Sequence, residues 1–267
     1  MPSTFTEQTT LGRTGLKVGR LGISSSYGAP AAAFEEAFER GCNYFTWGTF
    51  LRGRSAEMKK AVRNIVKKGR RDDLVLSLVT YAHNAFLTEI FLKKGLAAAG
   101  VDHADVLILG YYPGKPPRRV MDGALRLKQS GLIRFIGLTS HNRDLFPRLD
   151  RDGLIDVFHI RYNAVHRGAE TDAFPHIGAE KRPGIVSFTA TCWQRLLKPN
   201  KMPPDENPPR AGDCYRFALS HPAVDVCMSG ARNLEQMREN LQALAAGPMT
   251  GMELERMRKI GDAIHRK

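Results

Sequence analysis

The chain has 267 residues, 42% of them apolar, which suits one large α/β domain with a substantial core and argues against a disordered chain. No stretch approaches the roughly 20 apolar residues of a membrane span, and Met1-Pro2-Ser3-Thr4-Phe5-Thr6 lacks a signal-peptide pattern, so no membrane partner is expected. The formal charge of +13 favours anionic ligands, and the scattered cysteines Cys42, Cys192, Cys214 and Cys227 form no CxxC pair, which points away from a metal site and towards the reducing cytoplasm.

In chain order, Thr9–Val18 reads as a hairpin turning near Arg13–Gly15. Strand-like runs follow at Val18–Ile23, Cys42–Thr46, Leu74–Val79, Asp105–Leu109, Phe135–Leu138, Val157–Ile160, Ile185–Thr189 and Val224–Met228. Helical patterns lie between them at about 31–40, 55–68, 87–99, 117–130, 142–150, 171–180, 210–220 and 233–245, with a final helix at about 251–265. The strands are continuous apolar runs, as parallel strands covered by helices require. Eight βα units predict a (β/α)8 TIM barrel, with an N-terminal β-hairpin and an extra C-terminal helix, forming one domain over 1–267. An open doubly wound sheet is the alternative, but no GxGxxG phosphate turn occurs.

The densest basic run, Lys59–Arg71, carries Met58, Val62, Ile65 and Val66 at helical spacing, so its charges fall on the outer face of an amphipathic helix. Without interleaved aromatics to stack on bases, it predicts no specific nucleic-acid binding. Leu197–Arg210, with prolines at 199, 203, 204, 208 and 209, is the longest irregular segment. It joins the seventh barrel strand to its helix and therefore lies at the C-terminal mouth, where barrel chemistry resides.

Several stretches resemble the aldo/keto reductase family: Leu11–Val18 with Leu21-Gly22, Gly41-Cys42-Asn43-Tyr44-Phe45, Gly131–Ser140, His159-Ile160-Arg161-Tyr162-Asn163 and Ser229–Asn240. They fall in order and run nearly end to end. The resemblance implies carbonyl reduction with NADPH by an Asp, Tyr, Lys and His at the barrel mouth, the tyrosine acting as general acid. Matched residue by residue, those positions read Thr46, Leu51, Val79 and Gly110. No aspartate lies between Glu35 and Arg71, no tyrosine between Phe45 and Thr80, no lysine in 72–86 and no histidine in 104–119, so a shifted alignment does not restore them.

The resemblance also implies an NADP(H) site. Glu239 and Asn240 match adenine contacts, with Arg232 and Gln236 nearby as an anion site at a helix start. Phe188 stands where the family stacks an aromatic ring on nicotinamide. Thr139-Ser140 stands for a Ser-Asn pair holding the carboxamide, and His159 for a glutamine with the same task. Tyr81, two residues past Val79, points the same way along the strand and is a substitute proton donor, as are His141 and Tyr111 at other strand ends. A general acid is worth roughly 10²–10⁴ in rate, so its loss steers the reading to an activated carbonyl, imine or quinone-like small molecule. The alternatives are a non-catalytic cofactor-binding or partner-binding barrel, and a barrel recruited to a reaction without nicotinamide. No feature of the sequence specifies an oligomer.

Overall fold

The computed structural model describes residues 4–49, 54–178 and 180–265. The hairpin is β1 (Thr9–Thr10) and β2 (Lys17–Val18), joined through a 3-10 turn at Gly12–Thr14 and Gly15, whose φ of 72° suits glycine. Eight parallel strands then close in chain order: β3 (Leu21–Ser24), β4 (Tyr44–Gly48), β5 (Val75–Thr80), β6 (Ala104–Leu109), β7 (Ile133–Ser140), β8 (Val157–Arg161), β9 (Gly184–Phe188) and β10 (Val226–Ser229), with β10 pairing back onto β3. Helices α1 (Ala31–Glu39), α2 (Ala56–Lys67), α3 (Ala85–Ala99), α4 (Arg118–Gln129), α5 (Leu145–Asp152), α6 (Ala169–Asp172), α7 (Ala211–Leu219) and α8 (Leu234–Ala246) follow the strands, and α9 (Gly251–His265) ends the described chain. The expected hairpin-capped (β/α)8 barrel is thus what forms.

Strand alternation sorts the core into two layers. Inward residues Tyr44, Val75, Val79, Val106, Ile108, Val157, Val186, Val226 and Met228 fill the barrel, and the hairpin's Leu11, Leu16 and Val18 plug its lower end. Outward residues such as Phe45, Leu76, Leu107 and Ile136 pack under the helices. On α2 the buried residues are Met58, Ala61, Val62 and Ile65, so the basic run does face away from the barrel.

Three carboxylates pin the lower rim. Asp105, Asp156 and Asp225 accept the backbone amides of Leu76, Ile136 and Ile185, each on the neighbouring strand, at 2.9, 2.9 and 2.8 Å. Each also meets a cation: Arg71 and Arg134 at Asp105, Lys128 at Asp156, Arg182 at Asp225. Conserving a barrel's register at this end is a matter of stability rather than chemistry.

Several elements differ in extent from those expected, and three of the differences have a clear physical cause. The run Val18–Ile23 divides, because Gly19 leaves the hairpin to donate its amide to Asn43 Oδ1 at 2.9 Å before β3 begins. The helix expected over 171–180 shortens to α6 and a 3-10 turn at Phe174–His176, where Pro175 supplies no amide for a longer helix. The last strand begins at Val226, since Asp225 belongs to the rim. On the upper side, α9 lies so close to the loop after β8 that a Cβ on Gly261 would sit 1.9 Å from the Ala164 carbonyl oxygen.

Candidate active site at the C-terminal mouth

A cavity of about 750 Å³ opens at the upper strand ends. Its floor is a hydrogen-bonded row across the barrel. Tyr44 Oη donates to Ser77 Oγ at 3.0 Å and meets His159 Nε2 at 2.8 Å. With Tyr44 donating to Ser77, Nε2–H is the donor to Tyr44 and Nδ1 is left as an acceptor. Burial holds His159 neutral, its pKa lowered to about 3 from the ordinary 6.5.

This predicts an acid sensitivity. An unfolded chain protonates the histidine below about 6.5, whereas the folded one resists down to about 3. The unfolded state therefore binds more protons in that window, and stability, full above about 6.5, falls as the pH drops through it. In His159→Gln, the decline in urea midpoint between about pH 7 and about pH 5 should be smaller than in the parent. Equal declines would assign the effect to other groups.

Thr46, on the same inward face two residues beyond Tyr44, lines the cavity, and its buried Oγ1 has no hydrogen-bond partner among the described residues. Such an orphan is costly unless a ligand satisfies it. Val79 lines the wall beside it. Gly110 does not line the cavity: a Cβ there would lie 2.6 Å from the Thr80 carbonyl oxygen and 2.7 Å from the Tyr81 ring. Tyr81 itself lines the cavity and is 48% exposed. Its ring thus takes the volume that a side chain at position 110 would need. Desolvation pushes the phenol's pKa up, so the hydroxyl keeps its proton at neutral pH. Leu51 lies outside the described residues.

At one end of the cavity, Thr139, His159 and Phe188 come together from β7, β8 and β9. Ser140 does not join them. Its hydroxyl donates to the Tyr112 carbonyl at 2.5 Å and accepts from the Asn142 amide at 3.0 Å, which leaves it buried in the loop. His141 and Tyr111 are also outside the lining. Their rings meet edge to face at 5.2 Å, and His141 reaches the cavity only through Phe188, 6.1 Å away. The loop after β9 forms the wall above. Thr189, Cys192, Trp193 and Gln194 all have positive φ, at roughly 1–2 kcal/mol for each such non-glycine residue. Hydrogen bonds from Cys192 N to Thr189 O and from Arg195 N to Cys192 O hold this left-handed turn and set Trp193 against the cavity.

The opposite end is basic. Arg232, Gln236, Glu239 and Asn240 line it from the start of α8, where Asn233 caps the helix by accepting the Gln236 amide at 2.8 Å. Gln236 Oε1 accepts the Arg232 amide at 3.0 Å, and Asn240 is buried with Nδ2 donating to the Gly230 carbonyl at 3.2 Å. Tyr27 packs on the backbone of Gly230, where a Cβ would lie 2.1 Å from its ring. Arg210, at the start of α7, lines the same end. Sequence reading passed over Arg210, although it stands at the predicted start of the 210–220 helix beside the mouth. Two guanidiniums and two helix N-termini make this end a natural anion site.

Cys192, His166 and Asn163 invite comparison with a nucleophile, base and orienting amide, but the geometry rejects it. Cys192 Sγ at 3.8 Å and Asn163 Oδ1 at 3.3 Å both meet the same Nδ1 of His166, so no relay through the ring exists. Burial also raises the thiol's pKa and lowers the imidazole's to about 4, the reverse of an ion pair.

No family model matches the chain. Its fold is similar to that of the aldo-keto reductase AKR11C1 from Bacillus halodurans: the holo form superposes with a TM-score of 0.78 at 21% identity, covering 98% of this chain and 100% of that one. The apo form gives 0.76 at 22% identity with the same coverage. The chain is thus an aldo-keto reductase-like (β/α)8 barrel. In sequence it is 24% identical to the uncharacterized oxidoreductase YqkF of Bacillus subtilis (strain 168), covering 89% of each protein. It is 22% identical to the L-galactose dehydrogenase of Arabidopsis thaliana, covering 94% of this chain and 92% of that protein.

Proposed function

We propose that the chain is an NADP(H)-dependent oxidoreductase of aldo-keto reductase type, acting on an activated carbonyl, imine or quinone-like small molecule. The observation that carries this reading is the single cavity joining a basic end to an aromatic end. Arg210, Arg232 and the start of α8 suit the phosphates. Phe188 suits the face of the nicotinamide, and Thr139 with the Nδ1 acceptor of His159 suits its carboxamide. The orphaned Thr46 Oγ1 gives the ligand a further polar contact. The nicotinamide, when bound, supplies the hydride.

The chain's own residues would do less than the family's usual four. Among the described residues that line this cavity there is no aspartate or lysine, and position 110 is glycine. Tyr81 is placed to donate a hydrogen bond to the acceptor's oxygen or nitrogen as negative charge develops there. An activated acceptor needs only that much help, with its proton drawn from water.

Fluorescence titration with NADPH and NADH tests the reading. Arg232→Ala should weaken NADPH roughly tenfold, as losing one charge-assisted contact does, and leave NADH nearly unchanged. Equal losses for both would remove the 2′-phosphate role. Absence of saturable NADPH binding to the parent protein would overturn the cofactor assignment altogether.

A further inference from the structure

We propose that the acceptor molecule carries a carboxylate, and that Arg161 binds it beside the Phe188 end of the cavity. The inference rests on the oxidoreductase reading above and names its substrate class. Along β8, Val157, His159 and Arg161 share the inward face, and Arg161 stands opposite Phe188 in the register with β9. Its guanidinium carbon lies 5.9 Å from the ring centroid of Trp193. Trp193 is 60% exposed and, like Phe188, lines the cavity.

The surroundings are largely cationic. Among the described residues no carboxylate pairs with Arg161, whereas nearby Arg143 is taken up by Asp172 at 2.7 Å. Arg195 donates to the Ile264 carbonyl at 2.8 Å and likewise has no carboxylate partner among the described residues. The charges felt at His141 and His166 are all positive: Arg161 at both, with His265, Arg195 and Arg143 also acting on His166. Burial first, and then Arg161, lowers both imidazoles' pKa values, so they contribute hydrogen bonds rather than charge.

A guanidinium with no carboxylate partner among the described residues, set beside the cavity-lining Trp193, is poorly explained by stability alone. Its fork matches the two oxygens of a carboxylate, and the face of Trp193 beside it accepts a flat apolar body. The hydride-accepting centre would then lie between that body and the wall carrying Tyr81 and His159.

The test uses the full-length protein and two matched pairs of probes, benzoate with benzamide and phenylacetate with phenylacetamide. Trp47 and Trp193 both line the cavity, so quenching of tryptophan fluorescence reports occupancy without any cofactor. Both acids should bind saturably and more tightly than their amides. Arg161→Gln should weaken the acids roughly 10-fold to 100-fold while leaving the amides and the NADPH affinity unchanged, and Arg161→Lys should recover part of the loss. Equal binding of acid and amide, an equal loss of both in Arg161→Gln, or no saturable quenching by either acid would overturn the proposal. A preference for acids in a protein that fails to bind NADPH would support the Arg161 site and overturn the oxidoreductase reading.

Discussion

Tyr81→Phe is expected to lower turnover with any acceptor by roughly 100-fold while leaving NADPH affinity unchanged. Removing a donor aimed at developing charge costs about 10²–10³ where water is excluded, and Tyr81, at 48% exposure, belongs at the lower end. The phenol's pKa is raised by desolvation. Tyr81 therefore stays protonated below its ordinary value of 10 and beyond, and its contribution to the rate should be flat from about pH 6 to about pH 9. The measurement is single-turnover oxidation of NADPH by a quinone and an aldehyde panel. A Tyr81→Phe protein as fast as its parent would end the donor role. A histidine at position 110 is no substitute, because its Cβ would collide with the Thr80 carbonyl and with the Tyr81 ring itself.

Asp225→Ala is expected to cost about 3–5 kcal/mol of stability, the range for removing one partner of a buried ion pair. Asp225 is 4% exposed and accepts three hydrogen bonds at once. It takes both Arg182 Nη atoms at 2.8 and 2.6 Å and the Ile185 amide at 2.8 Å. It also offsets part of the burial that lowers the Arg20 pKa. Alanine would leave the part-buried Arg182 guanidinium and a strand amide without their acceptor, and Arg20 without a nearby negative charge. Asp225→Asn keeps one acceptor oxygen for Ile185 and should lose less. Urea unfolding at neutral pH measures both, and a loss below about 1 kcal/mol for alanine would show that water readily replaces the carboxylate.

Much of the barrel was legible because its signals are local. Continuous apolar runs at Leu74–Val79 or Asp105–Leu109 admit one reading as buried strands, and Met58, Val62 and Ile65 repeat with a helix's period. Errors fell where a long-range partner overrode local preference, as when Asn43 captured the Gly19 amide and split the first strand. The candidate site divides in the same way. Thr46, Val79, Thr139, His159, Phe188, Arg232, Gln236, Glu239 and Asn240 reach the cavity, since alternation along a strand and position at a helix start bring them there. Ser140 shares that strand but spends its hydroxyl on Tyr112, a choice made by a loop 28 residues away.

By itself the sequence determined the order of strands and helices and the end of the barrel that carries the candidate site. These follow from periodicities of two and 3.6 residues and from residue identity. Tertiary structure alone decided which side chains meet at that mouth. Tyr44 and His159, 115 residues apart, meet only because the sheet closes on itself. Tyr81 covers Gly110 only because β5 and β6 are in register, with Thr80 opposite Leu109. Trp193 is set beside Arg161 by a left-handed turn that no local propensity favours. Contacts of that kind are set by barrel closure and loop packing, which act on residues far apart in the chain.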